Sequence, residues 1–155
     1  MPRVVFVLGL CGSGKSTRAA ELACRGFVNF DEKVTGKPLH PDWQNSSYPD
    51  FIQTVATGRD CVVTEIHYYH RHARQQVTPQ LTAVRPDVAI EWECFDHAEV
   101  EVADYNCEHD PDRTPEGIAA NLAQNQTTLE RLRNGTYELP IRHALLKTVR
   151  RPQRH

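Results

Sequence analysis

The chain has 155 residues, 39% hydrophobic and 25% charged, a composition that fits one soluble globular domain over 1–155 and excludes a disordered or fibrous chain. Its formal net charge of -2 gives no general pull toward nucleic acid, so a polyanionic partner would need a local basic patch. The longest apolar run is the opening one and ends at Lys15 and Ser16, too short for a membrane span and without the leader and cleavage site of a secretory signal, so no membrane partner and a cytoplasmic location are expected.

In chain order, "RVVFVLG" is a β-branched run suited to a strand buried on both faces of a parallel sheet. "KSTRAAELAC" follows as a helix closed near Gly26, and "FVNFD" as a short strand ending at Asp31. "EKVTGKPLHPDWQNSSYPD" mixes turn formers with scattered aromatics and reads as a surface excursion. A helix then starts at or just before Pro49 and stops at Gly58. "CVVTEI" is the next strand, and "YYHRHARQQVTPQLTAV" is helical, with Pro79 expected to kink or divide it. "VAIEWECF" is a strand and "DHAEVEVADYNCE" a short helix. Thr114, Pro115 and Glu116 are a cap, a first-turn proline and a first-turn acid for a long helix that Gly135 ends. "ALLKTVR" fits a strand or a helix, and a basic tail covers about 147–155. Strands alternating with helices predict an α/β fold, a mostly parallel sheet with helices on both faces. The loops after Gly9, Phe30, Ile66 and Phe95 then share one rim.

The five cysteines, Cys11, Cys24, Cys61, Cys94 and Cys107, are scattered without CxxC spacing and are expected as reduced thiols. "GLCGSGKS" fits G-x-x-x-x-G-K-[ST] in full, with a strand entering and a helix leaving. Gly9, Gly12 and Gly14, with Ser13 between the last two, let the backbone close around an anion at the new helix's unpaired N–H groups. Lys15 supplies charge at the β and γ phosphates, Ser16 an oxygen for Mg²⁺, and Thr17 contacts to neighbouring phosphate oxygens or a plain early-helix role. This predicts ATP and Mg²⁺ as ligands and the three-layer sandwich of a P-loop NTPase. No G-x-G-x-x-G is present for a dinucleotide and no N-K-x-D for guanine, and the chain leaves little room for the modules of motor or ring ATPases. A kinase is the class that remains in front.

"GLCGSGKST", "VNFDE", "VVTEIHYYHRHARQQ" and "CFDHAEVEVADYN", in that order, resemble the layout of P-loop kinases of the polynucleotide-kinase and zeta-toxin-like type. The resemblance implies that Asp31 positions and deprotonates an acceptor hydroxyl; read from the residues alone, Asp31 equally suits a turn cap. Glu65, after several apolar strand residues, is similar to a Walker B acid that holds a water on Mg²⁺ or binds the acceptor. Asp96 is an analogous acid that also suits a helix N-cap, and Asn106 matches an asparagine of the kinase pattern. The arginine-bearing lid corresponds to "YNCEHDPDRTPEG", where Glu108, Asp110 and Asp112 surround one arginine, Arg113; Arg131 and Arg133 are the substitutes on the long helix.

For the acceptor, "HYYHRHARQQ" offers His67, Tyr68, Tyr69, His70, Arg71, His72 and Arg74, rings that can stack on a base and cations that can meet a phosphate. Helical spacing predicts that at least one of these tyrosines packs inward. Trp43 is either part of an acceptor lid or a core plug. The leading expectation is an ATP-dependent phosphotransferase acting on a hydroxyl, with a nucleic-acid 5′ end or a nucleotide as candidate acceptors. The alternatives are a slow ATPase and a nucleotide-dependent interaction module.

Overall fold

Six residues, Arg3–Leu8, form strand β1, and every one after Arg3 is buried, as a β-branched run requires when both faces of a sheet are covered. The computed structural model describes residues 1–140 and 144–149. After β1 come helix α1 (Lys15–Ala23), strand β2 (Val28–Asn29), helices α2 (Glu32–Thr35) and α3 (Tyr48–Ala56), strand β3 (Cys61–Val63) and helix α4 (Arg71–Val84). Strand β4 (Ala89–Phe95), helices α5 (Val100–Glu108) and α6 (Pro115–Asn134) and strand β5 (Ala144–Lys147) complete the described chain. The strand order is β2-β3-β1-β4-β5, and all four pairings are parallel. The chain leaves β1 for β2 at one edge, and the crossover after β3 passes β1 to reach β4 on its other side, so the crevice at the carboxyl end of β1 is the topological switch point where such sheets bind ligands.

Period-two alternation divides the strand between two cores. Val4, Phe6 and Leu8 pack with Phe51 and Val55 of α3 and Val77 and Leu81 of α4. Val5 and Val7 pack with Ala19 and Leu22 of α1 and Ala103 of α5. Phe6 lies on Trp92 of β4 with ring centroids 4.3 Å apart and meets Tyr68 edge-on at 4.8 Å. Burying a side chain of this size stabilises by about 1.5–3 kcal/mol, so the strand that delivers the glycine-rich loop is among the most firmly held parts of the molecule. A bidentate ion pair adds to this, with Arg18 of α1 donating to both carboxylate oxygens of Glu93 in β4 at 2.9 and 2.8 Å.

Several boundaries differ from the sequence expectation. The second strand stops at Asn29, because Asp31 turns the chain by capping α2 through the Lys33 N–H at 2.9 Å. The third stops at Val63, where Glu65 caps a 3-10 turn over Ile66–Tyr69. His70 is extended, and only then does α4 begin. Pro79 does not divide α4. The carbonyl it deprives of a donor is that of Gln75, and both residues lie on the exposed side, where water can take the carbonyl. "ALLKTVR" contributes a strand, and the basic tail from 150 onward lies outside the described residues. Among those described, no helix is long and apolar enough to cross a membrane.

Candidate active site

The loop between β1 and α1 is shaped by what packs beneath it. Gly12 has φ +84°, and a Cβ there would sit 2.2 Å from the Ala103 carbonyl oxygen and 2.8 Å from Cys107 Sγ. A Cβ on Gly9 would lie 2.4 Å from Ser13 Oγ. Only glycine lets α5 approach so closely and the loop turn so sharply. Gly14 is left-handed at φ 106° and caps α1 without a side chain, so the first N–H groups of α1 open into a cavity of about 750 Å³.

Lys15, Ser16 and Thr17 line this cavity. Burial pulls the Lys15 ammonium below the usual lysine range, opposed by Cys11, Glu65 and Asp31. A cation held near carboxylates but in no ion pair among the described residues gains most from an anionic ligand. Ser13 is 1% exposed, and its Oγ has no hydrogen-bond partner among the described residues.

Asp31 is 5% exposed and is the centre of the polar network. Its Oδ2 accepts from Ser16 Oγ at 2.9 Å and from Thr64 Oγ1 at 2.9 Å, while its Oδ1 accepts from the Lys33 N–H. It therefore caps a turn and touches the loop serine at once. Glu65 also lines the cavity, but its carboxylate accepts from the His67 N–H at 3.3 Å. Serine hydroxyl and aspartate carboxylate side by side are the hard oxygen donors a Mg²⁺ ion takes, and the inward amides suit polyphosphate, so the residues present fit Mg²⁺ and a nucleoside triphosphate.

The opposite wall comes from α5, α6 and their connection. Asn106 Nδ2 donates to the Gly12 carbonyl at 2.9 Å. Arg113 lines the cavity and is paired with Asp110 at 3.1 Å, and its buried Nη1 has no hydrogen-bond partner among the described residues. Arg131 instead donates to the Tyr137 hydroxyl at 2.8 Å, and neither it nor Arg133 lines the cavity. Asp96 caps the 3-10 turn over His97–Glu99 and stays outside the cavity. Of the four loops expected on one rim, those after β1, β2 and β3 meet at the cavity, and the one after β4 does not.

Sequence reasoning missed Asn125. It is fully buried in α6; its Oδ1 accepts from the Cys11 N–H at 2.7 Å, and its Nδ2 donates to the Cys11 carbonyl at 3.0 Å and to Asp104 at 3.0 Å. The signal was a polar run in the inward helical register: Asn121 lines the cavity, Asn125 and Thr128 are buried, and Leu132 packs on the core.

On the other side of Asp31, both Tyr68 and Tyr69 are buried, so the expected inward tyrosine is two. The histidines stay nearer the surface: His40 lies 4.0 Å from His67 by ring centroid, His67 lies 5.6 Å from His70, and Trp43, 60% exposed, stacks on His40 at 4.9 Å. Trp43 is thus no core plug. Burial, then His40 and His70, push the His67 imidazole down to about 4.

No protein-family model and no curated protein matches the chain. Among solved structures it is similar to Kti12 of Chaetomium thermophilum in complex with ADP-AlF3, with a TM-score of 0.50, 13% identity, and 94% of this chain and 88% of that one covered. Also similar are the protein APE1195, with a TM-score of 0.45, 17% identity and coverage of 94% and 85%, and a fungal RNA kinase, with a TM-score of 0.45, 8% identity and coverage of 100% and 78%. With the parallel sheet and the loop at its switch point, the likeness to Kti12 shows the fold alone, the three-layer α/β sandwich of the P-loop NTPase type.

Proposed function

We propose that the protein is an ATP-dependent phosphotransferase that moves the γ-phosphate to a hydroxyl acceptor. The observation that carries this reading is the contact of Asp31 with Ser16 on one wall of the cavity, with Arg113, paired to Asp110 through Nε and with Nη1 unpartnered among the described residues, on the other. The triphosphate is taken as substrate by the loop amides and by Lys15, with Ser13, Ser16 and Thr17 adding hydroxyls. Mg²⁺, held by Ser16 with Asp31 or Glu65 close by, neutralises charge on the phosphate oxygens when bound. Asp31 orients the acceptor hydroxyl and accepts its proton as the new oxygen–phosphorus bond forms and the bond to the ADP oxygen breaks. Arg113, released from Asp110, meets the transferring group. Kti12 was solved in complex with ADP-AlF3, which supports nucleotide binding.

One observation favours a second reading, hydrolysis without a dedicated acceptor: Arg113 is tied to Asp110. Transfer of labelled γ-phosphate to a panel of hydroxyl compounds, with Lys15→Ala as the control, separates the two. Label in an acceptor product that vanishes with Lys15→Ala is the expected result; release only as inorganic phosphate would reject phosphotransfer.

A further inference from the structure

The acceptor half of the cavity has its own chemistry. Asp31, Glu32 and Glu65 line it against one cation, Lys33, and the lid cation Arg113 is already paired with Asp110. Lys15 is committed to the donor. An acceptor that brings several phosphates of its own would meet three carboxylates and one free ammonium here, a balance that opposes its entry.

Next to this half runs a line of rings. Leu39 and Ile66 line the cavity, and the residues that follow them, His40 and His67, bring their rings to 4.0 Å across the gap between two segments of chain. Trp43 continues the line outward, nearly parallel to His40 at 11°, and His70 and Tyr137 continue it inward at 5.6 and 4.8 Å steps. Among the described residues no three His, Cys, Asp or Glu gather into a group that could hold a metal ion. Trp43, four residues after the cavity-lining Leu39, is held by stacking on one face while staying 60% exposed, a large apolar surface left in water.

From the ring line and the acid-rich floor together, we infer that the acceptor is a small hydroxyl compound bearing a planar ring and no phosphates of its own, its ring stacked on the open face of Trp43. The inference rests on the phosphotransfer reading for its hydroxyl, but the ring subsite is a binding claim that can be measured separately. Stacking on an aromatic side chain is worth roughly a tenfold or greater change in affinity.

Two matched pairs of probes isolate the two features on the full chain. Phenyl β-glucoside and methyl β-glucoside share their hydroxyls and differ in the ring; thymidine and a 5′-hydroxyl oligo(dT) share base and hydroxyl and differ in phosphates. With the donor site saturated by AMP-PNP, calorimetry is expected to give phenyl β-glucoside about tenfold tighter than methyl β-glucoside, and thymidine at least as tight as oligo(dT). Trp43→Leu should remove the phenyl preference and Trp43→Phe restore it, with ATP binding unchanged in both. Equal binding of the two glucosides, tenfold tighter oligo(dT), or no binding by any of the four overturns the subsite. Ring-dependent binding without phosphate transfer leaves the subsite standing and defeats the phosphotransfer reading; equal transfer to both glucosides does the reverse.

Discussion

Ser16 donates its hydroxyl to the Asp31 carboxylate at 2.9 Å, and Thr64 donates to the same oxygen from the end of β3. On a parallel sheet ordered β2-β3-β1, an acid on the phosphate-loop serine was expected from β3, beside β1. Here a threonine, Thr64, follows β3, and the acid follows β2, one strand further out. One carboxylate therefore serves as helix cap, as serine partner and as candidate base.

These roles separate by substitution at Asp31. Asparagine caps helices about as well as aspartate, whereas alanine forfeits roughly 0.5–2 kcal/mol of cap stability. Asp31→Asn should keep the melting temperature near that of the native chain and lower phosphate transfer by about 10²-fold or more. Asp31→Ala should lose both. Native transfer rates in Asp31→Asn would remove Asp31 from the chemistry and leave it a cap.

Gly12→Ala tests the loop shape. The new Cβ meets the Ala103 carbonyl oxygen at 2.2 Å, and that oxygen belongs to helix backbone, which cannot swing aside as a side chain would. The left-handed φ adds strain of order 1–3 kcal/mol. The variant should lose at least tenfold in nucleotide affinity by calorimetry and melt several degrees lower. Unchanged binding would mean that α5 does not set the loop's conformation.

Protonation of the ring line should weaken the fold in acid. His67 titrates near 6.5 in the unfolded chain and at about 4 in the folded one, so between these values the unfolded state holds the extra proton. Stability therefore falls as pH drops from 6.5 to 4 and loses no more from this group below that. The groups around it are His40, His70 and His72, which depress it, and Asp42, which opposes them. Urea midpoints between pH 7.5 and 4 should show a shallower decline for His67→Asn than for the native chain. Parallel curves would show that His67 titrates normally.

What could be read in the sequence was what local chemistry decides. The run from Arg3 to Leu8 announced a buried strand, the full glycine motif announced the loop, and Thr114 with Pro115 announced α6, where Thr114 Oγ1 accepts from the Gly117 N–H at 3.0 Å. Hidden were the relations set by tertiary approach. Glu65, just after β3, both lines the cavity and caps the turn at His67, while Asp31 reaches Ser16 only because three strands lie in a particular order. Pro79 stays inside one helix because an exposed helix face tolerates a missing donor. Asn125 has as its partner a backbone peptide 114 residues away, so only the polar run along α6 marked it.

That Asn125–Cys11 pairing makes the last prediction. Leucine at 125 would leave the Cys11 N–H and C=O without side-chain partners on the buried side of the loop, at about 1–3 kcal/mol for each group that water cannot reach. Aspartate is the sharper test. It keeps an acceptor for the Cys11 N–H but replaces the Nδ2 donor by a second carboxylate oxygen facing the Cys11 carbonyl and Asp104, both at 3.0 Å from the present nitrogen. If the loop owes its shape to this amide, Asn125→Asp should bind ATP more weakly than Asn125→Ala, because it adds repulsion where alanine only removes support. Each should fall at least tenfold below the native chain. Calorimetry on variants whose far-ultraviolet dichroism matches the native protein reads this directly. Native affinity in Asn125→Asp would show that the glycine-rich loop holds its conformation without α6.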